Sequence, residues 1–224
     1  MLRAVIVPML LATTIAAQAQ TAPSTSEIAA YKGLHRAAQN GDAAEISRLA
    51  AAGMDVNARD RQGRTPAHVA AFASNDDALR ALAQAGADMN ALDGQAYDVV
   101  TIAAVADDPE LMSLAIALGN DPKLTTSRYA GTALIAAAHL GRVEVVRRLI
   151  AAGAPLDHVN NLCWTALMEA VVLGDGGSDH QEVVRLLLDA GAGPLIADCN
   201  GVTAVSHARA RGYSAMVRLL DGNP

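Results

Sequence analysis

The stretch Thr65-Pro66-Ala67-His68-Val69-Ala70-Ala71 decides the fold, because versions of it recur along the chain. The two clearest further copies begin at Thr132 and Thr165, which lie 33 residues apart. Weaker copies begin at Lys32 and Thr203. A short phrase that returns with this period predicts a stack of similar structural units, each of which needs its neighbours to bury its apolar face.

A second register, independent of the first, ends another apolar segment in each unit. Its glycines are spaced 33, 33, 34 and 38 residues apart and are Gly53, Gly86, Gly119, Gly153 and Gly191. An apolar residue stands seven positions before each glycine and another stands four positions before it, which places both on one helical face. The two registers together predict pairs of helices, of which the second ends at the glycine.

Both registers resemble the ankyrin repeat, whose consensus contains a TPLHxA phrase and a GADVN phrase, as in Gly86-Ala87-Asp88-Met89-Asn90. The resemblance implies an all-α ankyrin-repeat solenoid with about six helix-turn-helix units and short β-hairpin fingers. It covers residues 30–222, which we predict to be one repeat domain. The expected units lie near 30–62, 63–95, 96–129, 130–162, 163–200 and 201–222.

Two units depart from the consensus. The third has Asp98-Val99-Val100-Thr101 in place of the phrase, so the hydrogen bonds that Thr and His make between neighbouring repeats of the family are not expected there. The fifth carries five extra residues within 174–179, and Asp179 with Glu182 has the spacing of a helix capping box. We expect this insertion to leave the stack intact.

The N-terminus has the pattern of a secretory signal. Arg3 precedes a mostly apolar, uncharged run over residues 4–17, and Ala17-Gln18-Ala19 offers small side chains for cleavage after Ala19. The alternative is a membrane anchor, but the run is shorter than the ~20 residues that a spanning helix needs. The sequence thus predicts a signal peptide over 1–19, a flexible leader over 20–29 and an unanchored periplasmic or secreted protein.

Composition and motifs exclude several functions. The chain is 52% hydrophobic, and its net charge of -6 argues against nucleic acid as a partner, which would require a basic face. It contains no nucleophile elbow, phosphate loop or dinucleotide fingerprint, so we predict that it is not an enzyme. Six histidines lack the paired spacing of metal ligands, and we expect neither a metal site nor a cofactor.

The two cysteines leave a rival interpretation open. Cys163 and Cys199 lie in fingers of adjacent units but two residues out of step. A disulfide needs Cα atoms within about 7 Å. Because neighbouring fingers offset in this way need not meet that limit, free or partly buried thiols are expected. A redox- or metal-responsive protein that uses these cysteines and the surface histidines is the alternative to a binding protein.

The ankyrin resemblance also implies where a partner protein binds, namely at finger tips and at exposed positions of the first helices. Carried over unit by unit, these positions are Arg59, Arg61, Gln62, Arg64 and Phe72; Leu92, Gln95, Tyr97 and Val105; Ser127, Arg128, Tyr129 and His139; and Asn160, Asn161, Trp164, Val172 and Leu173. The arginines would favour an acidic or carboxylate-bearing surface, or else form a solvated finger. Trp164, the single tryptophan, is either a partner anchor or packs on an adjacent finger.

The expected state is a monomer that binds one protein partner. The chain is similar to small exported bacterial ankyrin-repeat proteins, some of which are associated with periplasmic catalase. That similarity implies a scaffolding or stress-protective role.

Overall fold

The computed structural model describes residues 20–222, and within that range it contains thirteen helices. A short helix, α1 (Thr25–Ala30), precedes six helix pairs. The pairs are α2 (Gly33–Gln39) with α3 (Ala43–Ala51), α4 (Pro66–Phe72) with α5 (Asp76–Gln84), α6 (Val99–Ala106) with α7 (Pro109–Ala117), α8 (Ala133–His139) with α9 (Val143–Ala151), α10 (Ala166–Val172) with α11 (Ser178–Asp189), and α12 (Ala204–Ala210) with α13 (Ser214–Leu220).

The pairs stack so that first helices contact first helices and second helices contact second helices, which gives two layers around one core. The predicted apolar positions seven residues before each glycine are fully buried in that core, and they are Ile46, Leu79, Met112, Val146 and Val184. The second helices end at left-handed glycines as predicted, for example at Gly119 with φ +103°. The all-α ankyrin-repeat solenoid is therefore confirmed.

The turns that join one pair to the next, which we call fingers, span residues 57–64, 90–97, 124–131, 157–164 and 195–202. A side-chain oxygen near the start of each finger accepts hydrogen bonds from the backbone that follows it. These side chains are Asp60, Asp93, Ser127, Asn160 and Asp198. Because side chains satisfy these donors, the fingers are turns rather than the predicted β-hairpins. Within residues 20–222 only isolated bridges form, at Thr126–Gly131 and Ala197–Thr203.

The predicted flexible leader over 20–29 is wrong, because α1 begins within it. Ser24 and Glu27 form a capping box: the Ser24 side chain accepts from the Glu27 N–H at 3.3 Å, and Glu27 Oε2 accepts from the Ser24 N–H at 2.7 Å. Glu27 also pairs with Arg64, which fixes α1 to the finger of residues 57–64. The predicted signal peptide over 1–19 lies outside the described residues. No helix between residues 20 and 222 has the length and apolarity to cross a membrane.

The insertion in the fifth unit packs against both neighbouring units. The imidazole Nε2 of His180 lies 3.0 Å from the carbonyl oxygen of His139, and the hydroxyl of Tyr213 donates to the carbonyl of Gly174 at 3.1 Å. The predicted capping box of Asp179 is wrong, since α11 already begins at Ser178 with Gly177 as its N-cap. The stack remains continuous through the insertion, as predicted.

A disulfide joins Cys163 to Cys199, with a Cα–Cα distance of 5.5 Å, so the expectation of free thiols is wrong. The reason is the natural stagger of the fingers. A residue late in one finger meets a residue one to three positions earlier in the next, as shown by the bonds from Ser127 N to Ala96 O (2.6 Å) and from Asn161 N to Tyr129 O (2.9 Å). The offset of the cysteines is thus the register in which neighbouring fingers touch.

Candidate functional site

A cavity of about 210 Å³ lies between the fingers of the third, fourth and fifth units and the first helices behind them. We call it the central groove. Its finger side is formed by residues that include Tyr97, Ser127, Tyr129 and Asn160, and its helix side by residues that include Val105, Ile135, His139, Leu140 and Glu169. Stacking places equivalent positions of successive units side by side, so residues about one repeat apart in sequence line one wall.

The groove brings together several of the residues predicted to bind a partner. Tyr97, Tyr129, His139 and Asn160 line it, as do Val105 and Ser127 of the wider predicted set. Asn160 is not exposed, as a finger-tip residue was expected to be, because its side chain accepts from the N–H groups of Leu162 (2.9 Å) and Trp164 (3.0 Å). Its amide is thereby oriented toward Glu169.

Glu169 is the groove residue that the sequence analysis missed. It is only 4% exposed, and its Oε1 accepts from Asn160 Nδ2 at 2.8 Å, while its Oε2 lies 3.2 Å from His139 Nδ1. It stands four residues after Thr165, where the second, third and fourth units carry Val69, Ile102 and Ala136. An acid at a position that is apolar in these three units was the available signal.

A buried polar network lies beside the groove in the third unit and takes the place of the Thr–His bonds. Asp98 accepts from the N–H (2.8 Å) and hydroxyl (2.5 Å) of Thr101 and from Asn120 Nδ2 (2.8 Å). The hydroxyl of Thr126 lies 3.1 Å from that of Thr101. All four side chains are nearly inaccessible, so the network holds the finger of residues 124–131 against α6.

His68 has the structural role expected of the family phrase. Its Nδ1 accepts from the N–H of Thr65 at 3.1 Å, which leaves Nε2–H to donate to the carbonyl of Tyr97 at 2.9 Å. Burial lowers the pKa of His68, which favours the neutral ring that this arrangement requires. His35 makes the equivalent contact with the carbonyl of Arg64 at 3.0 Å.

Arg64 was predicted to lie exposed at a finger tip, and that placement is wrong. Its side chain is 2% exposed because it pairs with Asp60 at 2.7 Å and with Glu27 at 2.6 Å. Burial alone would raise the pKa of Asp60, but the hydrogen bonds from Arg64 and Tyr31 outweigh it and lower that pKa below its ordinary value. Arg64 thus fastens α1 to the finger, which removes it from any partner surface.

The other predicted residues lie apart from the central groove. Arg59 donates to the carbonyls of Gly63 (2.7 Å) and Leu92 (2.5 Å) and so braces two fingers. Arg61 and Gln62 are exposed beside a separate surface hollow, which Gln95 also borders. Phe72 and Trp164 are half-buried against the core, Val172 is buried, and Arg128, Asn161 and Leu173 are exposed. Their role as contacts for a partner stays a prediction.

The segment before α1 crosses the fingers and reaches the groove, which the sequence did not indicate. The carbonyl of Thr21 accepts from Arg64 at 3.3 Å, and Gln20 borders the groove. The side-chain Nε2 of Gln20 is buried there, with no hydrogen-bond partner among residues 20–222. An extended stretch of polypeptide therefore fits along this surface.

No cluster of three or more His, Cys, Asp or Glu side chains suited to a metal ion occurs within residues 20–222. In the central groove, the side chains of Glu169, His139 and Asn160 meet. They offer a carboxylate and a hydrogen-bonding frame to a ligand.

Comparison with known proteins agrees with the fold. A family model described as ankyrin repeats (3 copies) matches residues 8–93 and 100–198. The chain is 35% identical over 186 residues to the ankyrin repeat protein YahD of Escherichia coli (strain K12), covering 82% of this chain and 92% of YahD. A solved ankyrin repeat domain from Acinetobacter baumannii AYE is 45% identical, with a TM-score of 0.79, over 85% of this chain and 96% of that one. The ankyrin repeat domain of Bcl-3 is 26% identical, with a TM-score of 0.77, over 86% of each chain. This chain belongs to the ankyrin-repeat family.

Proposed function

We propose that this chain is an exported, non-catalytic protein that binds a segment of a partner protein in the central groove and along the neighbouring fingers. Ankyrin-repeat domains generally mediate protein–protein interaction, and they are typically non-enzymatic scaffolds. The observation that carries the proposal is the groove itself. It combines apolar walls, two tyrosines and a buried carboxylate on the face built from fingers and first helices.

Exposed leucines support a protein partner. Leu140, which lines the groove at the end of α8, is 37% exposed. Leu162 on the finger of residues 157–164 and Leu173 at the end of α10 do not line the groove, and they are 36% and 42% exposed. Contact with a partner would remove this surface from water. Tyr97 and Tyr129 add large rings that lose little conformational freedom on binding, as is common in protein interfaces.

Export is supported by the N-terminal pattern and by the disulfide, since such bonds persist in oxidising compartments. A periplasmic or secreted, unanchored monomer is the expected form, and a scaffolding or stress-protective role follows from the resemblance to small exported bacterial ankyrin-repeat proteins. Intact-mass analysis of the exported protein tests this part of the proposal. We expect a chain that begins at Gln20, and a mass that retains residues 1–19 would contradict it.

Site-specific photocrosslinking tests partner binding. A benzophenone side chain is placed at Leu140 beside the groove or, as a matched control, at Gln84, which is exposed at the end of α5 in the other helix layer. Irradiation in the exported compartment should yield a crosslinked protein from position 140 that is absent from position 84. No product at 140, or the same products at both positions, would refute binding in the groove.

The disulfide favours one second function, that of a redox-responsive protein. In that case mild reductant should open the bond at concentrations that leave the fold intact, and the crosslinked products from position 140 should change. Thiol titration under the same conditions follows the bond directly. If the crosslinked products from position 140 stay the same although titration shows that the bond has been reduced, the disulfide is a purely structural bond.

A further inference from the structure

We propose that the central groove receives a lysine side chain of the partner segment, whose ammonium group pairs with the carboxylate of Glu169. This inference rests on the proposed function, because it specifies the chemistry of the segment that the groove would bind. Three features of the groove carry it: the burial of Glu169, the absence of a lysine or arginine beside it among the described residues, and the shape and polarity of the walls.

Glu169 is a buried acid that the fold does not need. Val69, Ile102 and Ala136 occupy the equivalent position, so the stack forms without a carboxylate there. The groups that hold Glu169 are the amide of Asn160 and the imidazole of His139, and no lysine or arginine within residues 20–222 lies in salt-bridge range of it. Burying a carboxylate without a cation is unfavourable, and a cationic ligand would relieve that cost.

The contacts of Glu169 favour lysine over arginine. Oε1 already accepts from Asn160 and Oε2 already faces His139, so a planar guanidinium that needs both oxygens would compete with these two residues. An ammonium group is compact and can bind a single remaining lone pair. Its four-carbon stem would pack on the apolar walls, which include Val105 and Ile135.

The aromatic rings in the groove and the net charge of the protein also favour a lysine side chain as the ligand. Tyr97 and Tyr129 border the same cavity, and tyrosine faces attract ammonium groups. The net charge of -6 favours the approach of a cationic segment. Gln20 already places a buried N–H donor in the groove, which shows that a nitrogen-bearing side chain on an extended segment fits there.

Peptide selection provides the test. Random heptapeptides are selected on the immobilised wild-type protein, and we expect lysine to be enriched among them. Dissociation constants of the selected peptides are then compared between wild type, Glu169→Gln and Asp77→Asn. Asp77→Asn removes the same charge from the exposed first turn of α5. We expect Glu169→Gln to weaken binding by about tenfold or more and Asp77→Asn to leave it unchanged.

A second arm leaves the protein unaltered. Acetylation of the peptide lysine removes its charge, and it should also weaken binding to the wild-type chain by about tenfold or more. This arm keeps the proposal testable even if Glu169→Gln does not fold.

The outcomes separate the two proposals. Peptides that bind Glu169→Gln as tightly as wild type, or that tolerate acetylation, would refute the role of lysine. If the same peptides still lose binding to Leu140→Asp, the groove remains the binding site. Peptides that bind Leu140→Asp as well as wild type would overturn the groove and the lysine together.

Discussion

Reduction of the Cys163–Cys199 disulfide should loosen the C-terminal end of the stack. The bond ties the finger of the fifth unit to that of the sixth, where earlier fingers are joined by backbone hydrogen bonds such as Gly94 N to Gln62 O at 2.8 Å. Within residues 20–222, the last pair, α12 and α13, packs on one neighbouring pair, α10 and α11. A terminal repeat depends on that single interface, so the loss of a covalent tie is felt most there.

The magnitude follows from the length of the closed loop. The two cysteines are 36 residues apart, and the chain-entropy model for a loop of that length gives about 4 kcal/mol at 25 °C. For a domain of this size, 1 kcal/mol corresponds to roughly 2–4 °C in melting temperature. We therefore expect reduction to lower the melting temperature by roughly 8–16 °C. Amide protons of α12 and α13 should lose protection before those of α4, because repeat arrays open from their weakest end.

Circular dichroism melts with and without a phosphine reductant measure the change, and hydrogen exchange locates it. The double variant Cys163→Ser with Cys199→Ser is the control, since its melting temperature should equal that of the reduced wild type and should not respond to reductant. An unchanged wild-type melting temperature after thiol titration has shown complete reduction would refute the reasoning. So would an equal loss of protection in every unit.

Four further predictions concern the buried polar groups. Arg64→Met should lower the free energy of unfolding in urea by about 3–5 kcal/mol, because it strands the carboxylate of Asp60, whereas Arg61→Ala should change it by less than about 0.5 kcal/mol. Since the pKa of Asp60 is lowered in the folded state, its contribution to stability is present above pH 3.8 and is lost as the pH falls through the pKa of the folded state. If Arg64→Met lost stability in acid as steeply as wild type, the ion pair would not be the origin of this dependence. Because burial lowers the pKa of His68, the unfolded chain binds the proton first, so stability should begin to fall below pH 6.5 and should fall less in His68→Asn. Asp98→Ala should cost about 1–3 kcal/mol by stranding Asn120 and Thr101, and a cost no larger than that of the exposed Asp77→Ala would show that the network is not stabilising.

The fold could be predicted because its positions repeat. The apolar residues before each glycine are buried for the same reason in every unit, so each copy supports the assignment of the others. The leader was also within reach of sequence analysis, since Ser24 and Glu27 have capping-box spacing, but the small polar residues around them indicated a flexible segment.

Arg64, the disulfide and Glu169 depend on contacts between units, and a repeat register does not contain that information. Arg64 occupies a position that is exposed in the family, and it is buried here because α1 brings Glu27 to it. The bond between Cys163 and Cys199 depends on the stagger of neighbouring fingers, which becomes visible only when finger contacts such as Tyr129 with Asn161 are known. The sequence shows that Glu169 departs from the apolar residues of three other units, but its contact with His139, one unit away in the stack, requires the structure.

The central groove lies where three consecutive units each depart from the repeat. Asp98 replaces the threonine of the phrase in the third unit, Ser127 replaces the finger Asp or Asn in the fourth, and Glu169 replaces an apolar residue in the fifth. A stack of identical units would present the same shallow surface along its whole length, with nothing to select one ligand over another. Substitutions that depart from the repeat without interrupting the stack are therefore the residues that can define a specific site, and three consecutive units supply them here.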